Sequence, residues 1–149
     1  IYIFGAGHVG KALMLQLAAL PFEITWVDSR ANEFPKAVPE NFTMVCHPQP
    51  HELLMNAPDA AYILILTHDH EVDFEIVSTA LAMARFAYIG MIGSKTKKAR
   101  FKSRFKKLGL SDVKISAMHC PIGISGISSK KPVAIAVSVV ADLLTRIEI

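Results

Sequence analysis

Ile1-Tyr2-Ile3-Phe4-Gly5-Ala6-Gly7-His8-Val9-Gly10-Lys11-Ala12-Leu13, residues 1–13, is the stretch that decides the fold. Ile1 to Phe4 is short, apolar and β-favouring, and reads as a strand. A G-x-G-x-x-G pattern follows at once, and Lys11 to Leu20 continues as a helix with Leu13, Leu17 and Leu20 at helical spacing. The spacing has a physical purpose. Gly5 allows a tight turn, Gly7 lets backbone approach a pyrophosphate, and Gly10 lets helix pack closely on strand. The helix N-terminus then offers free N–H groups to an anion. Gly5, Ala6, Gly7, His8, Val9 and Gly10 are therefore a candidate cofactor-binding turn.

Outward from that turn, Glu23 to Val27 reads as a second strand ending in Asp28, 18 residues past Gly10. An acid near that distance binds a ribose hydroxyl in dinucleotide-binding folds. The competing reading is a loop carboxylate with a local partner. Ser29 and Arg30 join it as candidate contacts. Arg30 suits an adenine face or a 2′-phosphate, so NAD and NADP both stay open.

Strand and helix patterns alternate to the end of the chain, as in a parallel α/β sheet. Strands are expected at Phe42–Cys46, Ala61–Leu66, Ala87–Met91 and Ile115–Met118, with a helical turn at Glu52–Met55. Helices are expected from about His70 to Arg85, from Lys95 to Leu108 with Gly109 as its stop, and from Val133 to Leu144 after Pro132. The expected architecture is a Rossmann-like, doubly wound parallel sheet of about six strands with helices on both faces. At 149 residues and 52% apolar content, residues 1–149 form one domain. The chain opens inside a strand without an initiator Met, so a fragment of a longer protein is expected, with something missing before Ile1. The last helix is apolar nearly all round, which predicts packing between the sheet and another surface.

A net charge of +3 does not by itself imply nucleic acid, and no apolar run is long enough for a membrane span. Two cysteines do not make a disulfide scaffold, so a cytoplasmic setting is the default. Cys46, at the end of an expected core strand, reads as structural.

Ligands of such sheets sit beyond the carboxyl ends of the strands. Four loops fall there: Gly5–Gly10, Asp28–Arg30, Thr67–Asp73 and Gly90–Ser94, with Cys120–Lys131 expected to join them. His68, His70 and Asp73 form H-x-H-x-x-D, chemically sufficient for zinc. The reading preferred here has Asp69 capping the helix and the imidazoles lining a pocket, with no metal. His68 and His70 remain candidate acid–base groups. Gly93-Ser94 is a second glycine turn into a helix. That helix carries Lys95, Lys97, Lys98, Arg100, Lys102, Arg104, Lys106 and Lys107, half of the 16 Lys and Arg, and no acid. Lys95, Lys97 and Arg100 lie nearest the rim, where a phosphate or an acidic partner could meet them. Aromatic residues are not interleaved on the basic face, which argues against nucleic acid. Cys120 has two readings: a buried thiol anchoring its loop, or a soft thiolate for molybdenum or sulfur.

GAGHVG, VDSR, THDHEVD, YIGMIGSKTKKARF and CPIGI followed by KPVAIAVSVVADLL resemble the Rossmann domain of the xanthine dehydrogenase accessory proteins, the XdhC/CoxI family. The likeness runs through nearly the whole chain. It implies a cytoplasmic factor that binds molybdenum cofactor of the molybdopterin type. Such a factor protects the cofactor through sulfuration with a cofactor sulfurase, and delivers it to a molybdenum hydroxylase such as xanthine dehydrogenase. A homodimer and a preceding N-terminal domain are also implied. Cofactor contacts are then expected at the glycine turn, Asp28, Ser29, Arg30, Thr67, His68, Gly93, Ser94, Lys95 and Arg100. In this arrangement Cys120 faces molybdenum and Lys95 and Arg100 hold the phosphate. Lys130 and Lys131, if close, would favour the thiolate. The glycine pattern suits NAD(P) equally, so an NAD(P)-dependent oxidoreductase and an NAD(P)-sensing module stand beside the cofactor chaperone. A fold alone does not give an activity.

Overall fold

The computed structural model describes all residues, 1–149. Six parallel strands form one sheet in the order β3-β2-β1-β4-β5-β6. They are β1 (Tyr2–Phe4), β2 (Ile24–Asp28), β3 (Phe42–Cys46), β4 (Tyr62–Ile65), β5 (Tyr88–Met91) and β6 (Met118–His119). The expected doubly wound Rossmann-like architecture is present. Its order reverses between β1 and β4, and that switch point opens a crevice at the carboxyl edge. Phe4 pairs in register with Val27 on one side and Ile65 on the other. Gly5, Asp28 and Leu66–Thr67 therefore leave the sheet at one level.

The central strands are apolar on both faces because both faces are covered. Ile3, Leu64 and Tyr88 point to one side, and pack with Leu13 and Leu17 of α1 (His8–Leu17) and Ala136, Val139 and Leu143 of α5 (Pro132–Arg146). Phe4, Ile63, Ile65 and Ile89 point to the other. They pack with Ile76 and Val77 of α2 (His70–Met83), Phe101 and Phe105 of α3 (Lys95–Lys107), and Ile115 of α4 (Asp112–Ser116).

Two expectations are corrected. Ile115 lies in a helix and only Met118–His119 form the last strand, because Ser111 caps Lys114 N–H and starts α4. The first helix starts at His8, so Gly10 is inside it. In the last helix, Val133, Val137 and Leu144 are 58%, 47% and 41% exposed, on the side of α5 that the sheet and α1 do not cover.

Candidate functional site: the carboxyl rim

The glycine turn is built from its neighbours. Gly5 adopts a left-handed φ of +117°, and a Cβ there would lie 2.5 Å from the Leu66 carbonyl oxygen. The buried Trp26 indole donates to the Gly5 carbonyl at 2.9 Å. A Cβ on Gly10 would meet that same carbonyl at 2.2 Å, so α1 is seated directly on β1. Gly7 differs: nothing lies within 4 Å of its Cβ direction, and it caps α1 without a side-chain acceptor. The first-turn N–H groups of α1 are thus left to an outside acceptor.

Asp28 is placed against this turn from below. Its carboxylate accepts from Ala6 N–H at 2.7 Å, and from the Arg30 backbone N–H, Nε and a terminal guanidinium nitrogen at 2.9–3.0 Å. Burial opposes ionisation, but the Arg30 guanidinium and the two N–H donors outweigh it and hold the carboxyl below its ordinary range. Both oxygens have partners within the chain, so Asp28 braces the turn. The crevice bounded by Gly5, Asp28, Ser29, Thr67 and His68 encloses only about 10 Å³, room for roughly one water.

Across the switch point the H-x-H-x-x-D residues diverge. Asp69 caps α2 by accepting from Glu71 and Val72 N–H. His68 and His70 are exposed, and His70 Nδ1 lies 2.8 Å from an Arg100 guanidinium nitrogen. Asp73 turns inward and is fully buried. It accepts from Thr67 Oγ1 and from Lys97 Nζ, each at 2.6 Å. Lys97 also donates to the Ile92 carbonyl at 3.0 Å. Lys97 therefore does not serve the rim as a phosphate contact: its ammonium is consumed by Asp73. The three metal candidates do not converge, and no group of three His, Cys, Asp or Glu side chains in the chain does.

Cys120 lies beneath the second glycine turn, 3.3 Å from where a Gly93 Cβ would be. It is 4% exposed, and burial pushes its thiol pKa up despite the pull of Lys97 and Lys98. Burial and the raised pKa fit the reading of a thiol that anchors its loop, and a free reactive thiolate would show the opposite shift. Cys46, expected to be structural, is exposed, because β3 is an edge strand.

The rim's large cavity lies on the β5–β6 side, with a volume of about 720 Å³. Ile92, Gly93 and Ser94 form one wall, the loop from Pro121 to Lys130 a second, and Ile135 and Ser138 of α5 a third. The start of the loop is pinned: Ile122 N–H donates to the Met91 carbonyl at 3.0 Å, Ser138 Oγ donates to the Ile124 carbonyl at 3.1 Å, and Gly123 (φ +94°) fits over Ser138, where a Cβ would lie 2.4 Å from Oγ. Below it, the buried Tyr88 hydroxyl donates to Asp142 at 2.8 Å, and Asp142 pairs with Arg146. Burial, then Asp142, push the Tyr88 pKa well above its usual value. Tyr88 thus stays a neutral donor. Its ring also occupies the space over Gly90, where a Cβ would lie 2.4 Å from it. Of the sequence candidates, Gly93 and Ser94 line this cavity; Lys95 and Arg100 do not. The serines and lysine of residues 125–130 were not singled out as site residues, although a polar run before a helix-initiating proline was visible.

A sequence profile described as the XdhC Rossmann domain matches residues 1–143. Among curated proteins, the chain is 28% identical over 148 residues to YqeB, an uncharacterized protein of Escherichia coli K12; the match covers 97% of the chain and 26% of that relative. Among solved structures, it is similar to one described as a xanthine dehydrogenase from Bacillus halodurans. There the TM-score is 0.79 and the identity 27%, over 97% of this chain and 41% of that one. The chain thus spans well under half the length of either.

Proposed function

Because the chain belongs to the XdhC Rossmann-domain family, we propose that it is a xanthine dehydrogenase accessory factor. In this reading it binds molybdenum cofactor as cargo and passes it to a molybdenum hydroxylase. The observation that carries the reading, beside the family, is the 720 Å³ cavity at the carboxyl rim, a volume in the range of small-molecule sites. Its lining contains hydroxyls, one lysine and isoleucines, but no carboxylate, imidazole or thiol. Such a wall suits holding a ligand, with Lys130 its single titratable group. Asp73, Asp142 and Asp28, the buried carboxylates nearby, are each committed to a cation of the chain. Binding and hand-over therefore suit this site better than turnover. With Cys120 buried, sulfur for the cargo would come from a separate sulfurase.

The test is reconstitution. Cofactor-free hydroxylase is incubated with molybdenum cofactor, with and without the chain. Faster or fuller recovery of activity in its presence is expected; identical recovery would remove the accessory role.

A second reading rests on Gly7, whose open Cβ direction and uncapped helix suit a nucleotide phosphate. It makes the chain an NAD(P)-binding module. Titration with NAD and NADP tests it, and a Gly7→Val variant should lose whichever binds.

A further inference from the structure

α3 is divided lengthwise by the partners the fold gives its cations. On the side facing α2, Lys97 is spent on the buried Asp73, Arg104 pairs with both oxygens of Glu71, and an Arg100 guanidinium nitrogen lies 2.8 Å from His70. Lys95, Lys98, Lys102 and Lys106 follow one another at three- or four-residue spacing, and so form one stripe on the side away from α2. Lys95, Lys98 and Lys102 belong to no ion pair of the chain. Lys106 reaches only the exposed Asp112, at 3.5 Å, a contact worth little. The stripe borders the free edge of the sheet, where β6 has no further neighbour. There the His119 pKa is lowered by burial first, then by Arg146 and Lys98, so positive potential extends from α3 across β6 to α5.

Two costs fall on the folded chain. Lysines at that spacing repel one another with no carboxylate among them. The first turn of α3 also has no acid, and its lysines oppose the helix dipole. Proteins break local rules in this way where a site is kept for a partner. The stripe is built of lysines, and the aromatic residues of α3, Phe101 and Phe105, are fully buried. It therefore lacks the stacking groups of a nucleic-acid face. It also lacks the bulky apolar side chains by which a helix enters a membrane surface. Ala99 and Ser103 are exposed beside the lysines, small enough to let another backbone come close.

We propose that the stripe of Lys95, Lys98 and Lys102 is a docking surface for an acidic helix of a partner protein. From Lys95 to Lys102 α3 rises about 10 Å, and a facing helix with carboxylates at the same three- and four-residue spacing meets each ammonium in turn. The stripe begins at the residue after Ser94, which lines the cavity, so the docked partner stands beside the cavity. The surface itself does not depend on the accessory reading; that reading makes the partner the hydroxylase that receives the cargo.

The experiment is a fluorescence-anisotropy titration with a labelled helical peptide carrying glutamates at the lysine spacing. Single-stranded oligothymidylate of equal charge and phosphatidylserine vesicles serve as competitors. Two variants are compared with the parent: Lys95→Gln, Lys98→Gln and Lys102→Gln combined, and a control of Lys36→Gln, Lys107→Gln and Lys131→Gln combined, which removes three exposed cations elsewhere. The peptide should bind the parent. The stripe variant should weaken it about tenfold or more, and the control about twofold or less. Oligothymidylate and vesicles should compete poorly. The stripe variant should melt no lower than the parent, because it removes cations from the positive end of α3. A lower melt would make the lysines structural and overturn the assignment. So would no peptide binding, or equal losses in the two variants, which reports net charge alone. Tighter stripe-dependent binding of oligothymidylate or vesicles than of the peptide would also overturn it, in favour of nucleic acid or membrane. A failure of the accessory reading shows differently: stripe-dependent peptide binding, which supports the surface, without any gain in hydroxylase reconstitution.

Discussion

Lys97→Met should destabilise the protein by about 3–5 kcal/mol, the cost of stranding a buried charge. Methionine keeps most of the lysine stem, which packs beneath Gly93 and beside the Phe101 ring, so the change removes little but the ammonium. Asp73, fully buried, is left with the Thr67 hydroxyl and, at 3.2 Å, the Thr67 N–H. Two neutral donors do not replace an ammonium 2.6 Å away. For a chain of this size the loss corresponds to a melting-temperature drop on the order of 10 °C. Urea unfolding followed by Trp26, the single tryptophan and fully buried, reads it directly. The midpoint should fall with an unchanged slope. Lys97→Met combined with Asp73→Leu should recover most of the loss, since a buried pair replaced by apolar groups is near neutral. A single variant within about 1 kcal/mol of the parent, or a double variant worse than the singles combined, would refute the view that this pair fixes the Ile92–Gly93 turn to the Thr67 loop.

Gly10→Ala should cost more than about 3 kcal/mol or prevent folding, because its Cβ meets the Gly5 carbonyl; Gly7→Ala, facing open space, should stay within about 1 kcal/mol, both read by thermal melts. Asp28→Asn should destabilise at neutral pH. The folded carboxyl is held below its ordinary value, so its stabilisation is present above that value and fades as pH falls through the folded one; the gap between parent and variant should close on acidification, as measured by unfolding at several pH values. A colorimetric thiol reagent should modify Cys46 in the native protein and Cys120 only after unfolding, given their exposure.

The glycine turn, the parallel strand sequence and the switch-point rim are legible in the chain because each is written locally: an apolar run, a spaced glycine, a helical period. What escaped local reading was decided by partners distant in sequence. Lys97 looks like one more cation on a basic helix until the fold places it against Asp73, 24 residues away. Asp28 has the spacing of a ribose ligand, and only the structure shows Arg30 folded back onto it. Cys120 stands in a polar, glycine-rich loop, yet Gly93 and the core bury it. The cavity is a product of three segments, β5's end, the 121–130 loop and α5, and no one of them announces it. The resemblance to the XdhC family drew on order and identity of motifs, information that burial patterns do not carry.

Molybdenum cofactor binding by the purified chain tests the central claim most directly. Cofactor released from a molybdenum hydroxylase is mixed with the chain under exclusion of oxygen and passed through a desalting column, and molybdenum and pterin are measured in the protein fraction. Both should elute with the chain in equal amounts, and excess NAD or NADP should not displace them. Cofactor that elutes free, while NAD or NADP binds tightly, would contradict the account.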